Sequence, residues 1–286
     1  MDTAANKRKK RRGKLALALA FAMGFAMPVT ANPLEGENTR RGIVADYTIY
    51  IGGLIVAEGS MKATLAEETY LLQSKFGSAG LPKKFWDAKW TMTSEGHVDG
   101  NELRPSRFAF SSVENEERKK RLLVYSKSGM PDLTFDPPLP PGEPATTEPF
   151  ERKRTIDPVS SLLLPVTGEG NPCNRKLPVF DGKRRYDLDL IFDRKDKVVT
   201  RNKGYDGEAV VCTVRMTPHA GMEKAKVAKI RRGRDKTWIW LAPVNDGRFY
   251  IPVRVQMRTP IGIAILDVVR MRPLAMTTAD AKPALK

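Results

Sequence analysis

The scarce chemistry-bearing side chains of this 286-residue chain are two histidines and two cysteines. His97 sits in Glu95-Gly96-His97-Val98-Asp99-Gly100 and His219 in His219-Ala220-Gly221, both turn-like contexts. Neither has a second histidine or a cysteine at metal-ligand spacing, so no zinc or other metal site is expected. Gly52-Gly53 with Gly59 could pass for a phosphate loop, but no Lys-Ser/Thr follows and no helical pattern lies behind it, so turn chemistry accounts for it. Asp157 and Ser160 could be drawn as a catalytic pair. A carboxylate capping a helix N-terminus, Asp157-Pro158 ahead of the apolar Val159–Leu164, explains the same residues without chemistry. Nothing resembles a nucleophile elbow. No catalytic residue and no cofactor is assigned, and the expectation is a protein that is not an enzyme.

The N-terminus sets the compartment in which the cysteines must be read. Lys7-Arg8-Lys9-Lys10-Arg11-Arg12 and Lys14 precede an apolar run from Leu15 to Met27, and Val29-Thr30-Ala31 supplies small residues. A basic run directly before an apolar run is the arrangement membrane insertion needs, and this run is too short for a relaxed span. Residues 1–31 therefore read as a signal peptide cut between Ala31 and Asn32, handled by the export machinery, with a periplasmic destination; an uncleaved anchor is the alternative. In an oxidising compartment Cys173 and Cys212 are most simply one disulfide. A metal site or a reactive thiol would need ligands or an activating base that their sequence neighbours do not supply. Cys212 shares a strand face with Val210, Val214 and Met216, so the bridge should pin a loop onto a core strand.

The elements that must carry these residues are strands. Tyr186, Leu188, Leu190 and Phe192 alternate with Arg185, Asp187 and Asp189, one wet and one buried face. Ala45–Ile51, Leu54–Leu65 and Thr69–Phe76 are separated by Gly52-Gly53 and Glu67-Glu68, an antiparallel meander. Trp90–Ser94, Arg107–Ser112 and Arg121–Ser126 continue it. Further strands are expected at Ala209–Met216, Val227–Arg231, Trp238–Leu241, Phe249–Met257 and Ile263–Arg270, with a hairpin turn at Asn245-Asp246-Gly247. Pro252 implies an edge or a bulge. Leu81–Trp86 reads as a helical turn, and Trp86 and Trp90 as a core or rim contact rather than a ligand platform. The prolines of 137–144 make an extended loop. The fold expected is mainly β: a single antiparallel curled sheet, a β-spiral or open barrel, with one or two short helices. Its parts are a linker over 32–44, one domain over 45–272 and a disordered tail over 273–286.

Ala45–Gly59, Gly96 with Leu103-Arg104-Pro105 and Phe108, Asp157-Pro158-Val159-Ser160, Phe180-Asp181-Gly182-Lys183-Arg184-Arg185-Tyr186-Asp187, and Ile251-Pro252-Val253 with Thr259 and Gly262 occur in this order. In this the chain resembles the exported proteobacterial domain-of-unknown-function family 3108. That resemblance implies a periplasmic strand-rich domain and supplies no activity and no site residues.

Partners follow from charge. The formal net charge is +16, and the chain stays clearly basic without the seven Lys/Arg and one Asp of residues 1–31. Basic clusters stand at Arg118–Arg121, Arg152–Arg154, Lys183–Arg185 and Arg231–Lys236. Export excludes nucleic acid as the partner and leaves lipid head groups, lipopolysaccharide, anionic glycan or an envelope protein. The function expected is a non-catalytic envelope protein that binds an apolar, lipidic or anionic component and supports envelope integrity. A pocketless scaffold is the alternative, favoured by a solid core. An envelope hydrolase would require His97 or His219 to meet a serine or carboxylate in a cleft.

Overall fold

The computed structural model of the protein describes residues 41–139, 147–231, 236–259 and 262–274. The first meander comprises β1 (Arg41–Ile51), β2 (Leu54–Leu65), β3 (Thr69–Ser78), β4 (Ala88–Asp99), β5 (Glu102–Glu114), β6 (Glu117–Tyr125) and β7 (Pro131–Asp136). A connecting segment holds α1 (Pro149–Arg152) and β8 (Leu164–Pro165). The second meander comprises β9 (Arg175–Phe180), β10 (Arg185–Val199), β11 (Asp206–Ala220), β12 (Thr237–Val244), β13 (Phe249–Thr259) and β14 (Gly262–Pro273), with α2 (Lys224–Arg231) between β11 and β12.

The described strands form one antiparallel sheet in the order β7-β6-β5-β4-β3-β2-β1-β14-β13-β12-β11-β10-β9, and β8 adds to β13. The first and last strands pair in its middle, with Tyr50 opposite Ile265 and Val44 opposite Arg272. Each meander grows outward from that pair, so β7 and β9 are the two edges and the connecting segment runs from one edge to the other. The turns follow from residues that accept positive φ: Gly52 and Gly53 (57° and 88°) between β1 and β2, and Asn245, Asp246 and Gly247 between β12 and β13.

One large core lines a single face of both meanders. Tyr47, Met61, Leu72 and Phe108 meet Phe180, Val211, Trp240, Phe249 and Ile251, and Val159 and Leu163 of the connecting segment fill the space between them. A smaller cluster lies on the other face of β11 and β12, where Cys212, Ile239 and Leu241 pack with Leu164 and Cys173. The Cys173–Cys212 disulfide, with Cα atoms 5.8 Å apart, ties the connecting segment to that face.

Several expectations need correction. Val227–Arg231 is part of helix α2, because Lys, Ala and Arg are good helix formers and Val227 and Ile230 are spaced i, i+3 rather than alternating. The helix expected after Asp157 is a single 3-10 turn over Ser160–Leu162, whose N-cap residue is Val159. Pro165 forces the residue before it to extended backbone, so the apolar run cannot continue as helix. His97 and His219 lie within β4 and β11, not in turns. Strand β1 begins at Arg41, inside the expected linker. Pro252 stands beside a bulge, opposite Leu241, where β13 is no longer paired to β14. The expected signal peptide with its Ala31/Asn32 cut, residues 140–146 of the proline loop and 275–286 of the tail lie outside the described residues.

Candidate functional site

Asp157 is fully buried at the centre of a polar cluster inside the curled sheet. Its Oδ1 accepts from the backbone N–H of Val159 and of Ser160, both at 2.9 Å. Its Oδ2 accepts from the hydroxyls of Ser94 and Ser160, both at 2.6 Å. Tyr70 O–H lies 2.8 Å from the Ser160 hydroxyl, so β3, β4 and the connecting segment meet in one network. Burial raises the Asp157 carboxyl above its ordinary pKa against the pull of these donors. With its four donors internal and its surroundings solvent-free, Asp157 anchors the segment that fills the barrel-like interior.

The Phe180–Asp187 motif closes the seam between the two sheet edges. Asp181 Oδ1 accepts from the backbone N–H of Lys183 and Arg184 at 2.9 and 2.7 Å, and Gly182 turns the chain at φ 93°. Arg121 of β6 donates to the Asp181 carbonyl at 3.0 Å, and Lys183 lies 6.0 Å from the Phe135 ring of β7. The connecting segment bonds to both sides, through Arg154 N–H to the Gly129 carbonyl at 2.9 Å and Ile156 N–H to the Pro178 carbonyl at 2.8 Å. The sheet therefore curls edge towards edge without a closing ladder.

Where the connecting segment leaves β9, a cleft of about 500 Å³ opens between the β4–β5 turn and the disulfide loop. Leu103, Ile156, Leu163, Leu164 and Leu177 give it an apolar floor, and Arg154, Arg175 and Lys176 give it a cationic rim, with Glu102 the one acidic side chain in the lining. Arg175 is held by backbone carbonyls alone: Nη1 donates to Asn101 at 3.1 Å and Pro165 at 3.0 Å, and Nη2 donates to Asn171 at 3.2 Å. Burial lowers its pKa. Lys176 reaches Asp187 and Asp189 only at 3.8 and 3.9 Å. Such a cleft can hold an acyl or other apolar body with an anionic head at its mouth. Arg175 follows Cys173-Asn174 in sequence, but its placement depends on Asn101 and Pro165, far away in the chain, so no local pattern reveals it.

The remaining sequence candidates fall in two groups. His219 Nε2 lies 3.0 Å from Asp187 Oδ2, so the carboxylate neighbour required for a hydrolase is present. Asp187 also receives Arg185 Nη1 at 2.6 Å. Burial works against its charge, but the bonds from Arg185 and His219 outweigh that and hold its pKa below the ordinary value. Among the described residues no serine or cysteine hydrogen-bonds to His219. Two basic clusters are largely neutralised in place: Lys119 by Glu117, Lys120 by Asp136, Arg184 by Asp181 and Arg185 by Asp187; in the third, Arg152 bonds to Thr147 instead. Residues 232–235 of the fourth lie outside the described residues. Trp86 and Trp90 are 5.3 Å apart at a half-exposed rim. Among the described residues no cluster of His, Cys, Asp and Glu could hold a metal ion.

An open, curled antiparallel sheet defines a barrel-like class of β protein, and comparison with known proteins agrees. The family model described as "Protein of unknown function (DUF3108)" matches residues 46–269, and the chain belongs to that family. A crystal structure described as a beta-barrel-like protein of domain of unknown function DUF1849, from Brucella abortus, is similar in fold, with a TM-score of 0.50 and 10% identity over 82% of this chain and 98% of that one. No functionally curated protein matches the chain.

Proposed function

We propose that the protein is a non-catalytic, exported component of the cell envelope that binds an anionic amphiphile, of the kind a lipid supplies, in the cleft beside the disulfide. The observation that carries this reading is the cleft's composition: an apolar floor of leucines and Ile156 under Arg154, Arg175 and Lys176, with Arg175 held only by carbonyls. Carbonyl dipoles hold a guanidinium in place but leave its net charge uncompensated, which favours an incoming anion. The disulfide suits an oxidising compartment. The chain's basic balance suits an envelope rich in anionic head groups.

The test is titration of the full chain with 11-(dansylamino)undecanoic acid, a fluorescent probe with an apolar body and one carboxylate. Saturable enhancement of dansyl emission is expected, weakened roughly tenfold by Arg154→Glu and by Lys176→Gln, each the loss of about one charge-assisted contact. Binding that does not saturate, or that ignores both substitutions, would remove the cleft from the account. The reading left would then be a scaffold working through protein contacts.

A further inference from the structure

The two ends of the sheet differ in character. At one end lie the β1–β2 turn, the β3–β4 loop, the β13–β14 turn and helix α2, joined to one another through backbone contacts. Gly52 N–H donates to the Ile263 carbonyl at 3.1 Å, Ala79 N–H to the Val56 carbonyl at 3.0 Å, and Arg258 N–H to the Lys236 carbonyl at 3.4 Å. This end carries Leu54, Ile55, Leu81, Phe85, Trp86 and Ile263, six of the 13 exposed large apolar side chains among the described residues. Phe85 is 86% exposed and Leu54 and Leu81 are each 61% exposed. None of the three sits in a groove that could shelter it, since each stands on or beside a turn. The β2–β3, β4–β5 and β12–β13 turns of the opposite end carry Glu67, Glu68, Asp99, Glu102 and Asp246 instead.

Cations stand around the apolar tips. Lys83 and Lys84 precede Phe85-Trp86 directly, and α2 presents Lys224, Lys226 and Lys229 to solvent, followed by the exposed Lys236. Among the described residues none of these six lysines forms an ion pair, in contrast to the clusters on β6 and β10. The acidic groups beside them in sequence are Asp87 and Glu223; the other turns and strand ends here carry Glu114, Glu116, Glu117, Asp136 and Asp181, the last three already paired with Lys119, Lys120 and Arg184. Leucine, phenylalanine and tryptophan at loop tips, flanked by unpaired lysines, match the boundary between acyl chains and anionic head groups. There the aromatic rings bury their bodies and the lysines keep their charge in the head-group layer.

We infer that this end of the sheet docks on an anionic bilayer surface, with the Leu81–Trp86 loop and the β1–β2 turn entering the acyl boundary and α2 lying over the head groups. Among the described residues no helix is long and apolar enough to cross a membrane. The lining of the cleft includes the β4–β5 turn, at the other end of the sheet. The inference is independent of what the cleft binds.

Trp86 gives a readout confined to the loop, which matters because the apolar run at 15–27 could itself bind lipid. Full-length protein is mixed with phosphatidylcholine vesicles containing roughly one-third phosphatidylglycerol, with and without bromine-labelled acyl chains. Bromolipid should quench tryptophan emission, and Trp86→Phe should remove most of that quenching. Leu81→Ser with Phe85→Ser should do the same, and Lys83→Glu with Lys84→Glu should weaken docking roughly tenfold at low salt and less at high salt. All these side chains are exposed, so circular dichroism should be unchanged. Absent quenching, or quenching indifferent to the Leu81/Phe85 substitutions, would overturn the inference. So would a dimer in sedimentation equilibrium that Phe85→Ser dissolves, which would assign the apolar tips to a second copy of the chain.

Discussion

Asp157 is a carboxylate whose value lies in its neighbours. Its two oxygens accept from two backbone N–H groups and two hydroxyls in a site without solvent. Asp157→Ala would leave two backbone N–H groups buried and unpaired and the two serine hydroxyls only each other and Tyr70 as partners, and should cost about 2–4 kcal/mol in urea unfolding. Asp157→Asn keeps an acceptor for the backbone pair and lets the serine hydroxyls reorient, so it should cost distinctly less. The same pair of proteins tests the direction of the pKa. Burial raises the Asp157 carboxyl above 3.8, so the folded chain keeps a proton that the unfolded chain has released. That contribution is fully present below pH 3.8 and is lost as pH rises through the folded value. The gap between wild type and Asp157→Asn should therefore move in the mutant's favour as pH is raised from about 4 to 7. A constant gap, or Asn as damaging as Ala, would contradict the assignment.

At the scale of elements, the disulfide fastens the connecting segment to β11 after that segment has crossed the interior. Closing a loop of 39 residues restricts the unfolded chain by roughly 4 kcal/mol in the loop-entropy model. Cys212→Ser should melt well below the oxidised wild type and match it under reductant; equal melting under oxidising conditions would show that the bridge is idle. The strands were legible in the sequence because alternation and turn chemistry are local: Tyr186 to Phe192 announces a two-faced strand, and Asn245-Asp246-Gly247 a hairpin. Helix α2 was misread because two β-branched residues in a short segment look like strand until their i, i+3 spacing is weighed. The Asp157 segment was legible in its residues and in the carboxylate's bonds to the N–H groups of Val159 and Ser160, but not in its partners across the sheet. Ser94 and Tyr70 lie 63 and 90 residues or so from their partners, and only the folded sheet brings them there.

The described residues form one sheet whose first and last strands pair in its middle, curled until the β9–β10 hairpin meets β6 and β7. The two quoted motifs with the most polar residues, Asp157–Ser160 and Phe180–Asp187, both take part in this closure. The cleft was illegible because its parts come from the β4–β5 turn, the interior segment and the disulfide loop, each unremarkable alone. Its occupant is the central claim, and native mass spectrometry of the protein isolated gently from its own envelope fraction tests it most directly. The same sample denatured without reductant supplies the mass of the bare, bridged chain. A reproducible excess in the native spectrum, released as an acidic amphiphile, is the result expected. A native mass equal to the bare chain, unchanged by added anionic lipid, would contradict the account.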